Sequence, residues 1–154
     1  MDNWKSTGAF MLRFIKDGNY EFVIVDDYIP VTAQGQPAFS SGGTTGKEAW
    51  VCILEKAYAK LYGDYSFIEA GKIPLCLANM VPESFPQQLN VADLSSNTDL
   101  FWTTISDLKK LGSLLGAGSP PHEDGDTAFS PDGIVFGHAY AILQIRKYDG
   151  EVLV

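Results

Sequence analysis

Residues 46–63 read GKEAWVCILEKAYAKLYG, and this stretch decides the class of fold. Trp50, Ile53, Leu54, Ala57, Tyr58 and Leu61 recur at three- and four-residue steps, which puts them on one face of an α-helix. Alanine, leucine, glutamate and lysine, all good helix formers, supply much of the remainder. Thr45-Gly46-Lys47-Glu48 has the form of a capping box, with Thr45 as N-cap and Glu48 reaching back to it. Gly63 is the expected stop, with Tyr62 as the last helical residue. A helix with one apolar stripe needs a second apolar layer to cover it.

Such a layer is visible upstream. Phe10, Leu12 and Phe14 alternate along a strand expected at Ala9–Ile15, and Tyr20–Val25 is a second strand rich in β-branched and aromatic residues. Between them Lys16-Asp17-Gly18-Asn19 carries the Asp-Gly signal of a hairpin. Pro30 ends the regular structure, and Val31–Gly46 is a loop rich in glycine, serine, threonine, glutamine and proline.

Downstream, Leu75–Met80 fits a short helix, with Pro82 and Pro86 beyond it. Asn97 or Thr98 can cap a second long helix from Asp99 to about Lys110, with Leu100, Phe101, Thr104, Ile105 and Leu108 as its buried side and Gly112 at its end. Ser113–Gly118 fits a buried strand, Ser119–Gly133 a polar loop and Ile134–Ile145 a long strand. Tyr148-Asp149-Gly150 reads as a turn into a strand from Glu151 to Val154. The chain stops within that strand, which suggests a domain cut short. The order implies an α+β fold with an antiparallel sheet late in the sequence.

Composition excludes some functions. The net charge is −8, and the 11 Lys and Arg residues are scattered, so no basic stripe exists to follow a phosphate backbone and nucleic acid is not an expected partner. No apolar run is long enough to span a bilayer. Met1–Ser6 is polar and lacks the form of a secretory signal, so the expected setting is intracellular, with Cys52 and Cys76 as reduced thiols. Both cysteines read as small buried hydrophobes, not as activated nucleophiles.

His138, in Phe136-Gly137-His138-Ala139-Tyr140, is the first candidate for chemistry. An imidazole there can act as general base toward a thiol or hydroxyl. It can equally be a core histidine bonded to a backbone carbonyl. Gly137 would permit close approach of another backbone. The acidic cluster His122-Glu123-Asp124-Gly125-Asp126 offers oxygen ligands of the right kind for calcium, but its spacing is not that of an EF-hand, and a solvated loop explains it. Asp26 and Asp27 are neighbours on opposite strand faces and cannot form a dyad.

Four motifs together resemble the protease domain of calpains: NYEFVIVDDYIP at Asn19–Pro30, GKEAWVCILEKAYAKLYG at Gly46–Gly63, KLGSLLG at Lys110–Gly116 and VFGHAYAI at Val135–Ile142. They occur in family order along nearly the whole chain. The resemblance implies a papain-like fold in two subdomains, here residues 1–90 and 91–154, with a substrate cleft between them. It implies calcium-dependent cleavage of internal peptide bonds in protein or peptide substrates. By it, His138 is the catalytic general base, Gly71 and Gly137 line the substrate cleft, and Glu48 ligates calcium. The capping box gives Glu48 a second, purely structural role.

The family's nucleophile, in a Gly-x-Cys-Trp motif, belongs upstream of the hairpin, and its orienting asparagine, in an Asn-Pro-Trp motif, follows the strand beginning at Glu151. Neither segment is within these 154 residues, so the chain is expected to be an inactive fragment of a larger parent polypeptide. Ala70, in Glu69-Ala70-Gly71, replaces the first glycine of a family pair, and Met80-Val81-Pro82-Glu83 stands where a Thr-Gly-Gly segment is usual. These departures support an alternative, a non-catalytic scaffold that binds neighbouring subunits in a cytoskeletal or ciliary assembly of the cytoplasm.

Overall fold

The computed structural model describes residues 7–40, 48–82, 85–148 and 151–153. The expected cap Thr45, Glu83 and the expected turn at Asp149-Gly150 lie outside them. The fold is mixed α+β, and the chain divides into two compact units, Met1–Gln87 and Gln88–Val154.

The first unit is built on the expected hairpin. Strands β1 (Ala9–Lys16) and β2 (Asn19–Asp26) pair antiparallel, with Phe10 opposite Val25 and Leu12 opposite Val23. Asp17 and Gly18 both take positive φ, 51° and 77°, as a two-residue hairpin turn requires. Phe14, Val23 and Val25 are buried on one face, where they meet Ile53, Ala57 and Tyr58 of helix α1 (Trp50–Tyr62). The 13-residue helix ends at Gly63, whose φ of 128° and ψ of −68° suit glycine and whose N–H donates to Ala59 O at 2.8 Å.

Two features of α1 differ from expectation. It begins at Trp50 after Ala49, which makes no side-chain cap, so Glu48 precedes the helix and is not part of its first turn. Trp50 is 64% exposed, and the buried residues of the helix begin two positions later, at Cys52 and Ile53. The lysines do unexpected work. Lys60 Nζ donates to Ile24 O at 2.9 Å, and Lys56 Nζ to Tyr28 O at 2.6 Å and to the Asp26 carboxylate. Their aliphatic stems let the ammonium groups reach carbonyls along and just beyond β2. The hydrogen bond from Lys56, then that from Tyr28 N–H, holds the Asp26 carboxyl below its usual range. Asp27 instead lies over Gly8, so the two aspartates are separately engaged.

Helix α2 (Ile73–Met80) closes the unit. Its Asn79 is buried and joins three elements: Oδ1 accepts from Tyr58 Oη at 2.8 Å and Tyr62 Oη at 2.7 Å, and Nδ2 donates to Ile15 O at 2.6 Å.

The second unit holds helices α3 (Val91–Ser95) and α4 (Thr98–Lys110) and four short strands. Asn97 caps α4, its side chain accepting from Leu100 N–H at 3.0 Å. Ile105 and Ser106 are the buried residues of α4, while Leu100 is 49% exposed. Strands β3 (Gly116–Gly118) and β4 (Ala139–Ala141) pair antiparallel, as do β5 (Arg146–Tyr148) and β6 (Glu151–Leu153). Lys147 bridges to Asp99 near the start of α4.

Two strand expectations need correction. Ser113–Gly118 is strand for only three residues, and those are exposed. Ile134–Ile145 is not one strand but an isolated bridge at Val135, a turn and then β4. A strand extends only where a partner can hydrogen-bond, and past Ser119 the partner segment is Pro120-Pro121, which has no N–H to offer.

Candidate active site around His138

His138 lies one residue before β4, opposite Ser119, which follows β3. It is exposed and is not part of the buried core of the described residues. Its ring meets the Tyr140 ring edge-on, with centroids 5.1 Å apart, as expected for residues two apart that project to one face of a strand. Neither imidazole nitrogen hydrogen-bonds to a described residue, so both are open to a reacting partner.

The backbone around the ring, by contrast, is tightly bonded. Ser119 N–H donates to His138 O at 2.9 Å, which carries the β3–β4 ladder one residue further. His138 N–H donates to Ser119 Oγ at 2.9 Å, and that hydroxyl donates to Val135 O at 2.6 Å. Gly137 N–H donates to Pro120 O at 2.8 Å, and Val135 N–H to Tyr140 Oη at 3.0 Å. A cavity of about 470 Å³ adjoins this clamp, lined by Ser119, Gly118, Pro120 and Gln88–Val91.

Gly137 serves differently from the sequence expectation. A Cβ placed there would meet nothing nearer than Gly125 C at 4.0 Å, so space on that side does not demand glycine, although Pro120 O accepts from Gly137 N–H. Its φ of 60° is the reason for glycine, because this left-handed residue turns the chain between Val135 and β4. Gly137→Ala is therefore expected to weaken the clamp by about 1–2 kcal/mol, and Gly137→Asn by less, since asparagine tolerates this region. Faster amide exchange at His138 and Tyr140, in the order alanine, asparagine, glycine, is the expected observation.

The other expected residues are placed as follows. Gly71 is exposed in the first unit, and its added Cβ would lie 3.4 Å from Cys76 Sγ. Cys52 is buried and its thiol donates to Ser40 O at 3.4 Å, while Cys76 is half-buried against the core; both are free thiols. Glu48 is exposed. Among the described residues no three His, Cys, Asp or Glu side chains gather as a metal site, so Glu48 offers calcium one carboxylate where six to eight oxygens are needed. In the acidic loop, His122 stacks on Phe136 and its Nδ1 accepts from Asp124 N–H at 3.2 Å. This is a local loop brace and gathers no ligands.

Residues 1–153 match the model of the family described as calpain family cysteine protease. The chain belongs to the calpain family. It is 39% identical over 154 residues to the maize protein called calpain-type cysteine protease DEK1 and equally to the rice protein called calpain-type cysteine protease ADL1, covering 98% of this chain each time. It is 32% identical over 143 residues to human calpain-14, covering 93% of this chain. This calpain chain spans 7% of the length of the two plant proteins and 20% of calpain-14. No helix among its described residues is long and apolar enough to cross a membrane.

The sequence pointed to His138 and missed its supports. Ser119 read as the start of a polar loop, and Tyr140 as one more strand residue. The run Gly116-Ala117-Gly118-Ser119, small residues closing on a hydroxyl, is the signal that could have marked a strand edge meeting another backbone.

Proposed function

We propose that this calpain chain is a central portion of the catalytic domain of a cysteine endopeptidase, and that His138 is its general base. The supporting observation is an exposed imidazole with neither nitrogen hydrogen-bonded to a described residue, standing on a bonded strand end. On this reading, the units Met1–Gln87 and Gln88–Val154 are the remainder of one papain-like subdomain and the start of the histidine-bearing one. His138 takes the proton of a cysteine thiol supplied elsewhere in the parent, and the resulting thiolate attacks the substrate carbonyl. His138 then returns the proton to the leaving amine. Cys52 is too buried to meet a substrate, and Cys76 is half-buried against the core of the first unit. These 154 residues alone are therefore inactive. Calcium dependence is a property of the parent in this proposal, with Glu48 as one oxygen donor among several. Protein substrates, and Gly71 and Gly137 as parts of the cleft, belong to the same proposal.

A second reading, a non-catalytic calpain-like scaffold, draws support from Ala70 and from Met80-Val81-Pro82, where the family resemblance calls for glycines. One experiment separates the two. The full-length parent is treated with a peptide epoxide, and the labelled residue is located by mass spectrometry. The protease reading expects one cysteine outside these 154 residues to be labelled, in a calcium-stimulated reaction. An unlabelled parent, or label spread evenly over thiols, supports the scaffold.

A further inference from the structure

The ring of His138 has no hydrogen bond of its own among the described residues, so its position depends on where its backbone is held. That backbone is held by Ser119 twice, through its main-chain N–H and through its hydroxyl. The Ser119 hydroxyl has a single proton, which goes to Val135 O at 2.6 Å and not to His138 O at 3.2 Å. Its lone pairs remain free to accept His138 N–H at 2.9 Å. One oxygen thus ties together residues 135 and 138, the two sides of the left-handed turn at Gly137. The Tyr140 hydroxyl complements it by accepting Val135 N–H at 3.0 Å, while its ring supports the imidazole edge. Ordinary ladder bonds cannot replace this clamp, because the partner chain turns to Pro120-Pro121 directly after Ser119.

We infer that Ser119 is a positioning residue for the general base, acting through the His138 backbone with Tyr140 as its counterpart; this rests on the protease reading above. Proton transfer between a thiol and an imidazole needs donor and acceptor within hydrogen-bond reach, and displacement by about 1 Å can cost on the order of a hundredfold in rate. Loss of the Ser119 hydroxyl leaves the Ser119–His138 and Gly137–Pro120 main-chain bonds in place, so the displacement is partial and the expected loss is about tenfold. The hydroxyl acts through the His138 backbone, so the loss is expected on kcat and not on KM.

The test uses the full-length parent with Ser119→Ala, Ser119→Thr and His138→Ala, assayed on a peptide substrate and by the pH dependence of active-site thiol alkylation. Expected is a fall in kcat of about tenfold for Ser119→Ala with KM within twofold, and an alkylation profile shifted toward that of an ordinary thiol. Ser119→Thr, which keeps the oxygen, should stay within about threefold of the parent. If Ser119→Ala matches the parent while His138→Ala is dead, the positioning role is wrong and the general-base role stands. If alanine and threonine both lose activity together with amide protection throughout Gln88–Val154, Ser119 serves folding and the positioning role is again wrong. A parent with no turnover and no fast thiol overturns the protease reading and this inference with it.

Discussion

His138→Ala in the full-length parent is expected to lower kcat/KM by about 10⁴-fold or more, with little change in the stability of the fold. On the proposed protease reading the loss is large because the imidazole would carry out two proton transfers and stabilise the thiolate as an ion pair. Without it the thiol returns toward an ordinary value near 8.5, leaving only a few per cent ionised at neutral pH. Thiol alkylation separates these roles: its rate should lose the low-pH limb that a thiolate–imidazolium pair provides. The fold should tolerate the change because the ring is exposed and makes one aromatic edge contact. A variant retaining more than a tenth of parental kcat/KM would show that another group supplies the base. Gly137→Ala provides the contrast, since it leaves the ring intact and loosens the turn that carries it.

The residues that fixed themselves in the sequence were those whose period or turn chemistry admits one solution. Asp17-Gly18 specifies a two-residue hairpin, and the alternation of Phe10, Leu12 and Phe14 sets the face that packs on α1. Gly63 stops α1 and Asn97 starts α4 by local geometry alone. Where pairing depends on a distant segment, the pattern misled. Ile134–Ile145 has the composition of one strand, yet Gly137 bends it and Pro120-Pro121 denies it a partner. The long helix was expected to start from a local cap at Thr45, while its described start is Trp50. The catalytic candidate itself was legible from Phe136–Tyr140, but a lone histidine names no reaction, and its exposure among the described residues could not be read from the sequence. Ser119 was illegible because its meaning lies in facing residues 16 and 19 positions away.

The other large effect belongs to the first unit, where Asn79→Leu should destabilise the packing of α2 on the hairpin by about 3 kcal/mol. Leucine shares the branching of asparagine but is bulkier, and it adds apolar burial, a gain of about 1–2 kcal/mol at a site this enclosed. Against that stand three groups that lose their partner at once: the Tyr58 and Tyr62 hydroxyls and Ile15 O. Each costs about 1–3 kcal/mol when it cannot reach water, and Tyr58 is the most enclosed of them. Burial first, then hydrogen bonding to Cys76, holds its phenol far above the usual range, so it stays a neutral donor in need of an acceptor at any working pH. The chain divides into two compact units, for which one global unfolding energy is poorly defined, so the local measure is amide exchange in β1, α1 and α2. A 3 kcal/mol loss corresponds to exchange roughly a hundredfold faster there. Adding Tyr58→Phe and Tyr62→Phe to Asn79→Leu removes two of the stranded hydroxyls and should restore most of the protection. If the single variant exchanges like the parent, the asparagine is not what joins the two helices to the hairpin. If the triple variant is no better than the single, the cost comes from the packing of leucine and not from orphaned polar groups.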